Sequence, residues 1–213
     1  MAPARFITFE GGEGSGKSTQ ANLLLARLRA EGIDALLTRE PGGSALAEQI
    51  RALLLDAASA ARGVMAETLL FYAARADHLD KLIRPALAAG RWVICDRFSD
   101  STLVYQSMAG GLARDVVVAL EQMIVAPTIP DLTFVLDAPP EIVLQRAVER
   151  RQVTGAPDVF EMRDLAYHRR LREGFAALTR LEPRRCLLID ATREREAIAA
   201  EIWSHVRTLG GSS

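Results

Sequence analysis

Gly11, Gly16, Lys17 and Ser18 stand at the spacing Gly-x-x-x-x-Gly-Lys-[Ser/Thr] within residues 5–19, RFITFEGGEGSGKST. The chemistry of that spacing is the cradling of a triphosphate. Backbone N–H groups converge on phosphate oxygens only where no Cβ blocks the approach and positive φ is allowed, and glycine meets both conditions. Gly11, Gly12, Gly14, Ser15, Gly16, Lys17, Ser18 and Thr19 are therefore the expected lining of a nucleotide site. Lys17 places a compact charge against the β- and γ-phosphates, and Ser18 offers its hydroxyl to Mg²⁺. The bland alternative is an ordinary glycine-rich turn between a strand and a helix.

Two further stretches carry charge where an apolar run ends: Thr38-Arg39-Glu40-Pro41-Gly42-Gly43 and Cys95-Asp96-Arg97-Phe98-Ser99. An aspartate closing an apolar strand, as Asp96 does, is the pattern of an acid that holds Mg²⁺, and it is equally the pattern of a helix N-cap. Arg39 and Arg97 would point into the same crevice, where guanidinium forks suit a second phosphate group; the competing reading is two surface salt bridges.

These groups need elements to hold them. Strand-like apolar runs occur at Phe6–Phe9, Ala35–Thr38, Trp92–Cys95, Leu132–Leu136 and Leu187–Ile189, separated by helical patterns at about Lys17–Ala30, Ala45–Leu55 and Ala66–Ala89. The alternation predicts an α/β fold: a five-stranded parallel sheet with right-handed crossovers, helices on both faces and ligands beyond the carboxyl ends of the strands. With no repeat or linker, residues 1–213 read as one domain. Lys plus Arg is 26 and Asp plus Glu 27, so nothing predicts a nucleic-acid surface. No apolar run approaches the roughly 18 residues of a membrane span, and residues 1–20 lack a signal pattern, so a soluble, cytoplasmic protein is expected. Cys95 and Cys186 read as reduced core thiols, and His78, His168 and His205, without ligand partners at metal spacing, as surface or packing residues.

The combination of EGGEGSGKST, TREPGG, FYAARADH, DRFSDSTLVYQ and a late DATRE, from Phe6 to about Thr192, resembles the thymidylate kinase family. The resemblance implies a P-loop kinase fold with a short lid at about 146–161, transfer of the γ-phosphate of ATP to dTMP, Mg²⁺ with the nucleotide and a homodimer. It implies that Glu13 contacts the acceptor sugar, Phe71 stacks on thymine and Arg75, four residues on and on the same helix face, bonds the base. Without the resemblance Phe71 would read as a core aromatic. Arg39 and Arg97 resemble the acceptor-phosphate clamp. Ser101 and Thr102 match positions at the thymine edge, Tyr105 one that crowds C2′, and Gln106 follows it. In the bacterial type, with Gly14 where another branch has a basic residue, the transferred phosphoryl group is met by lid arginines, here Arg146 and Arg150, with Arg151 a third. Glu161 matches an acidic lid-flanking position linked to the acceptor or its metal, and Arg193 the loop over adenine.

A phosphate monoester has a second pKa near 6, so the acceptor oxygen needs no general base, in keeping with the lack of a Ser-His-Asp pattern. A kinase for another nucleoside monophosphate shares the phosphate loop and lid. A P-loop GTPase would need Asn-Lys-x-Asp, which does not occur, and a non-catalytic nucleotide-binding module would not need so many arginines at strand ends.

Overall fold

The computed structural model describes residues 3–56, 62–154, 160 and 162–210. Strands β1 (Phe6–Gly11), β2 (Ala35–Arg39), β3 (Trp92–Asp96), β4 (Leu132–Asp137) and β5 (Cys186–Asp190) form a parallel sheet in the order β2-β3-β1-β4-β5. The helices are α1 (Lys17–Ala30), α2 (Ala45–Leu55), α3 (Val64–His78), α4 (Arg84–Ala88), α5 (Ser99–Thr102), α6 (Arg114–Ile124), α7 (Pro140–Thr154), α8 (Leu165–Leu181) and α9 (Arg195–Gly210). The chain crosses from β3 over β1 to β4, so the carboxyl end of β1 lies at the reversal of strand order, where an open parallel sheet binds its ligands.

Side-chain alternation splits the core into two layers. Ile7 and Phe9 of β1, Ile94, Phe134 and Ile189 face α1, α7 and α9, meeting Leu24, Leu28, Val143, Ile202 and Val206. Phe6, Val93, Cys95, Val135 and Cys186 face the other side, meeting Tyr72, Phe98, Val104, Leu171 and Phe175. On that second face the alternation also buries Thr8, Glu10 and Thr133 completely. Thr8 and Thr133 share a hydroxyl hydrogen bond of 2.8 Å, and Arg185 makes a fork onto Asp100 at 2.6 and 2.8 Å while also donating to Thr133. A polar seam thus runs under the sheet, from β1 across β4 to the chain just before β5, and grips α5.

The pattern read as one helix over Ala66–Ala89 is three pieces. Helix α3 begins two residues earlier at Val64, and a π-helical turn, Leu79–Ile83, separates it from α4. Pro85 has no N–H and crowds the carbonyl a turn before it, so the ladder widens there instead of continuing. A second π turn, Leu103–Met108, follows α5. Cys95 and Cys186 are buried free thiols.

Replacing Arg185 by Met leaves the buried Asp100 carboxylate without its cation. The free energy of unfolding in urea is expected to fall by about 3 kcal/mol. A loss within about 0.5 kcal/mol would show the seam to be dispensable.

Candidate active site

The carboxyl end of β1 turns into the phosphate loop. Gly11 has φ +133°, and a Cβ there would lie 2.5 Å from the carbonyl oxygen of Leu136, so the loop leaves the sheet at a point open only to glycine. Lys17 opens α1 and folds back over the loop, donating to the carbonyl of Gly12 at 2.7 Å. Burial, with Arg97 nearby, lowers its ammonium pKa to about 8, against the opposing pull of Glu13, Asp96 and Glu10. An arriving phosphate would restore it. Ser15 is buried beside it, whereas Ser18 and Thr19 are exposed at the helix start.

The Ser18 hydroxyl donates to the carboxylate of Asp96 at the end of β3, so the two metal candidates from distant sequence positions meet. Among the described residues no group of three or more His, Cys, Asp or Glu side chains is placed to hold a metal. Glu161 lies outside the described residues.

Arg97 follows Asp96 with φ +69°, alone in the left-handed region among the described non-glycine residues. Its guanidinium donates to the carbonyl of Gly11 at 2.9 Å and to Ser101 Oγ at 3.2 Å, pairs with Glu13 and lies 5.1 Å from the centre of the Tyr105 ring. Tyr105 in turn donates its hydroxyl to Glu13 at 3.1 Å. Burial disfavours the Arg97 charge, but Glu13 and its neighbours outweigh that and push its pKa above the ordinary value. Glu13, Arg97, Ser101 and Tyr105 therefore form one cluster at the edge of the phosphate loop.

A second cluster lies under α3. Arg75, 2% exposed, donates through Nε to Glu40 at 2.8 Å and through Nη2 to Thr102 Oγ1 at 3.1 Å and the carbonyl of Phe98 at 3.2 Å. Its guanidinium carbon sits 4.8 Å from the centre of the Tyr72 ring. Its Nη1 is buried with no protein partner. Glu40 is itself gripped by His78 Nδ1 at 3.0 Å, and His78 Nε2 meets Thr38 Oγ1 at 2.8 Å. A Cβ on Gly43 would fall 2.3 Å from His78 Nε2, which accounts for the second glycine of TREPGG. Phe71 is half-buried, its ring centre 6.2 Å from that of Phe160, and Gln106 is tied to Glu67 at 2.9 Å.

Other expected residues stand apart. Arg39 is exposed and forks onto Glu48 of α2 at 3.0 and 3.1 Å, outside the Arg97 cluster. Arg146 donates at 2.8 Å to the carbonyl of Ala191, on the loop after β5. Arg193, on that same loop, folds back to Glu201 of α9. The side chains of Arg150 and Arg151 lie outside the described residues. His78, read from sequence as surface or packing, is fully buried in a polar chain, and Glu10 and Glu40 were not singled out at all. A signal for Glu10 existed: in a strand whose period-2 neighbours are all buried, a carboxylate on the core side has to find donors.

A family model described as thymidylate kinase matches residues 9–202. Thymidylate kinase from Nitrobacter winogradskyi is 52% identical over 207 residues, spanning 96% of this chain and 90% of that protein. The one from Bradyrhizobium sp. strain ORS 278 is 51% identical over 203 residues, spanning 95% and 89%. The crystal structure of thymidylate kinase from Ehrlichia chaffeensis superposes with a TM-score of 0.78 at 32% identity, covering 96% of this chain and 99% of that one. With the phosphate loop and a match spanning nearly its whole length, the chain belongs to the thymidylate kinase family.

Proposed function

We propose that this protein transfers the γ-phosphate of ATP to dTMP, giving ADP and dTDP, through the residues gathered at the carboxyl ends of β1 and β3. The activity follows from the family and from relatives of about half identity. The observation that carries its assignment to these residues is the Arg97 guanidinium, hydrogen-bonded to Gly11 at the rim of the phosphate loop. It stands a cation of the acceptor side against the donor loop, where two polyanions have to be brought in line.

Arg75 supports the acceptor half of the reading. Its buried Nη1 has a donor to give and no protein acceptor, which suits a carbonyl of the thymine ring beside Phe71. Thr102 and Gln106 wall that space, and Ser101, Tyr105 and Glu13 line the path from base to phosphate. Arg39 joins the acceptor phosphate by leaving Glu48, an exposed pair of the sort worth about 0–1 kcal/mol. Gly11, Gly12, Gly14, Ser15, Gly16, Lys17, Ser18 and Thr19 hold the ATP phosphates, with Arg193 on the adenine side, and Arg146 joins Arg150 at the transferred phosphoryl group by leaving the Ala191 carbonyl.

Ser18 and Asp96 are the residues to hold Mg²⁺, with Glu161 a further candidate from the family resemblance. When bound, the ion neutralises charge on the β- and γ-phosphate oxygens. The acceptor phosphate is already an anion at neutral pH, so no side chain has to remove a proton. Lys17 and Arg97 cancel repulsion between the two phosphates, and Arg150, from a lid at about 146–161, meets charge spreading over the transferred group.

No described helix is long and apolar enough to cross a membrane. A place in the cytoplasm suits an ATP-consuming enzyme with two free thiols. A homodimer is supported by Leu46 and Leu53 on α2 and Met65 and Leu69 on α3, all exposed by 43% or more and spaced to share one side of each helix. Light scattering is expected to give twice the monomer mass, and a monomer at micromolar concentration would remove that reading.

The kinase assignment is tested by ADP release with ATP and Mg²⁺, offering dTMP, dUMP, dCMP, dGMP, AMP and UMP separately. kcat/KM for dTMP is expected to exceed the others by about 100-fold or more. Preference for another monophosphate would overturn the acceptor site, and no turnover would favour a binding module. Arg97→Ala is expected to raise KM for dTMP by about 10- to 100-fold, and Arg150→Ala to lower kcat with KM nearly unchanged. Wild-type kinetics in both variants would contradict the placement of the two phosphates.

A further inference from the structure

Glu10 immediately precedes the phosphate loop, and its hydrogen-bond partners are Phe98 and Ser101. Its side chain points from β1 to the face that carries α5 and is fully buried. One carboxylate oxygen accepts the backbone N–H of Phe98 at 2.8 Å and that of Ser101 at 3.3 Å; the other accepts the Ser101 hydroxyl at 2.5 Å. It therefore caps the four-residue helix α5 from a different element, satisfying amides that such a short helix leaves open.

These contacts bear on Arg97. A non-glycine residue at φ +69° is strained and persists only where its surroundings hold it. Here the restraints lie on either side: Arg97 N–H donates to the carbonyl of Phe9 at 2.9 Å, and the next amide, of Phe98, is held by Glu10. The guanidinium is held as well. Ser101 gives its hydroxyl proton to Glu10 and so keeps its lone pairs for Arg97 Nη1. We propose that Glu10 is a positioning residue for phosphoryl transfer, its carboxylate fixing the Phe98–Ser101 turn and the Ser101 hydroxyl so that Arg97 stands ready for the acceptor phosphate. This rests on the reading of Arg97 as an acceptor-phosphate ligand.

A carboxylate in that place is not there for stability. Burial, reinforced by the negative charge of Asp100, pushes the Glu10 carboxyl up to about 7, even though Arg97, Ser101 and Phe98 favour its charge. Lys17, Cys95 and Cys186 are the other titratable groups that feel it, and Arg185 faces Asp100. With a folded-state value raised from 4.5, the stabilisation is fully present below about 4.5, where Glu10 is protonated, and is lost as pH rises through about 7. At pH 8 the ionised group works against folding, and a neutral side chain of the same shape would serve the fold as well or better.

Glu10→Gln makes that distinction. The amide keeps an acceptor for Phe98, but its NH₂ donates to Ser101, so the Ser101 hydroxyl proton loses its acceptor and one of the two lone pairs open to Arg97 is taken. At pH 8 the variant is expected to be folded, with Tm equal to or above wild type. KM for dTMP is expected to rise by about tenfold and KM for ATP to stay within about twofold. In an Arg97→Ala background the same change should add nothing further, because its effect passes through Arg97. An unchanged KM for dTMP in Glu10→Gln, a lowered Tm or unfolded protein, a parallel rise in both KM values, or additivity in the double variant would each overturn the proposal. Arg97→Ala with a normal KM for dTMP would instead overturn the acceptor-site reading beneath it.

Discussion

The geometry of the site depends on buried carboxylates that hold Arg75 and Arg97. Glu10 holds the turn that presents Arg97, and Glu40 holds the guanidinium of Arg75 directly. Buried charges without partners are costly, and a buried pair often stabilises a fold no more than apolar residues of the same shape. What such pairs give reliably is orientation. A guanidinium with two or three edges already bonded has one direction left, and in Arg75 that direction is Nη1.

The two halves of the site are built differently. On the donor side a backbone loop waits, with Lys17 folded onto the Gly12 carbonyl and its ammonium partly discharged by burial. Those contacts are easily exchanged for phosphate oxygens. Around Arg75 and Arg97 the side chains are held by Glu10 of β1 and Glu40 just past β2, by His78 and by the π turn that carries Tyr105 and Gln106. The seam of Thr8, Thr133, Asp100 and Arg185 extends that rigidity beneath the sheet.

The fold was legible because strands and helices announce themselves by period. Apolar runs ending in charge gave β1 to β5 within a residue or two, and Gly11 to Ser18 marked the donor site by spacing alone. The helix over residues 66–89 misled because Pro85 tolerates the periodic pattern while breaking the hydrogen-bond ladder. Phe71 and Arg75 carried their suggested roles only through resemblance, since a helix face with an aromatic and an arginine is equally a packing face. Glu10, Glu40 and His78 stayed hidden for a physical reason: a polar residue in a strand or helix shows that it needs a partner, but not which distant segment supplies it. Arg39 shows the converse. Its place at the end of β2 was readable, but Glu48, nine residues on in sequence and on the adjoining α2, decides where the guanidinium rests.

The central claim is that the acceptor arginines are oriented before substrate arrives. The most direct measurement is a crystal structure with dTMP and a non-hydrolysable ATP analogue bound. The Glu10 bonds to Phe98 and Ser101 and the Glu40 bond to Arg75 are expected to persist, with the backbone of residues 96–102 displaced by less than about 1 Å and Arg75 Nη1 on a thymine carbonyl. If either arginine is found swung away from its carboxylate-held position, or if the 96–102 turn is rebuilt around the ligand, the site is formed by the substrate and the claim fails.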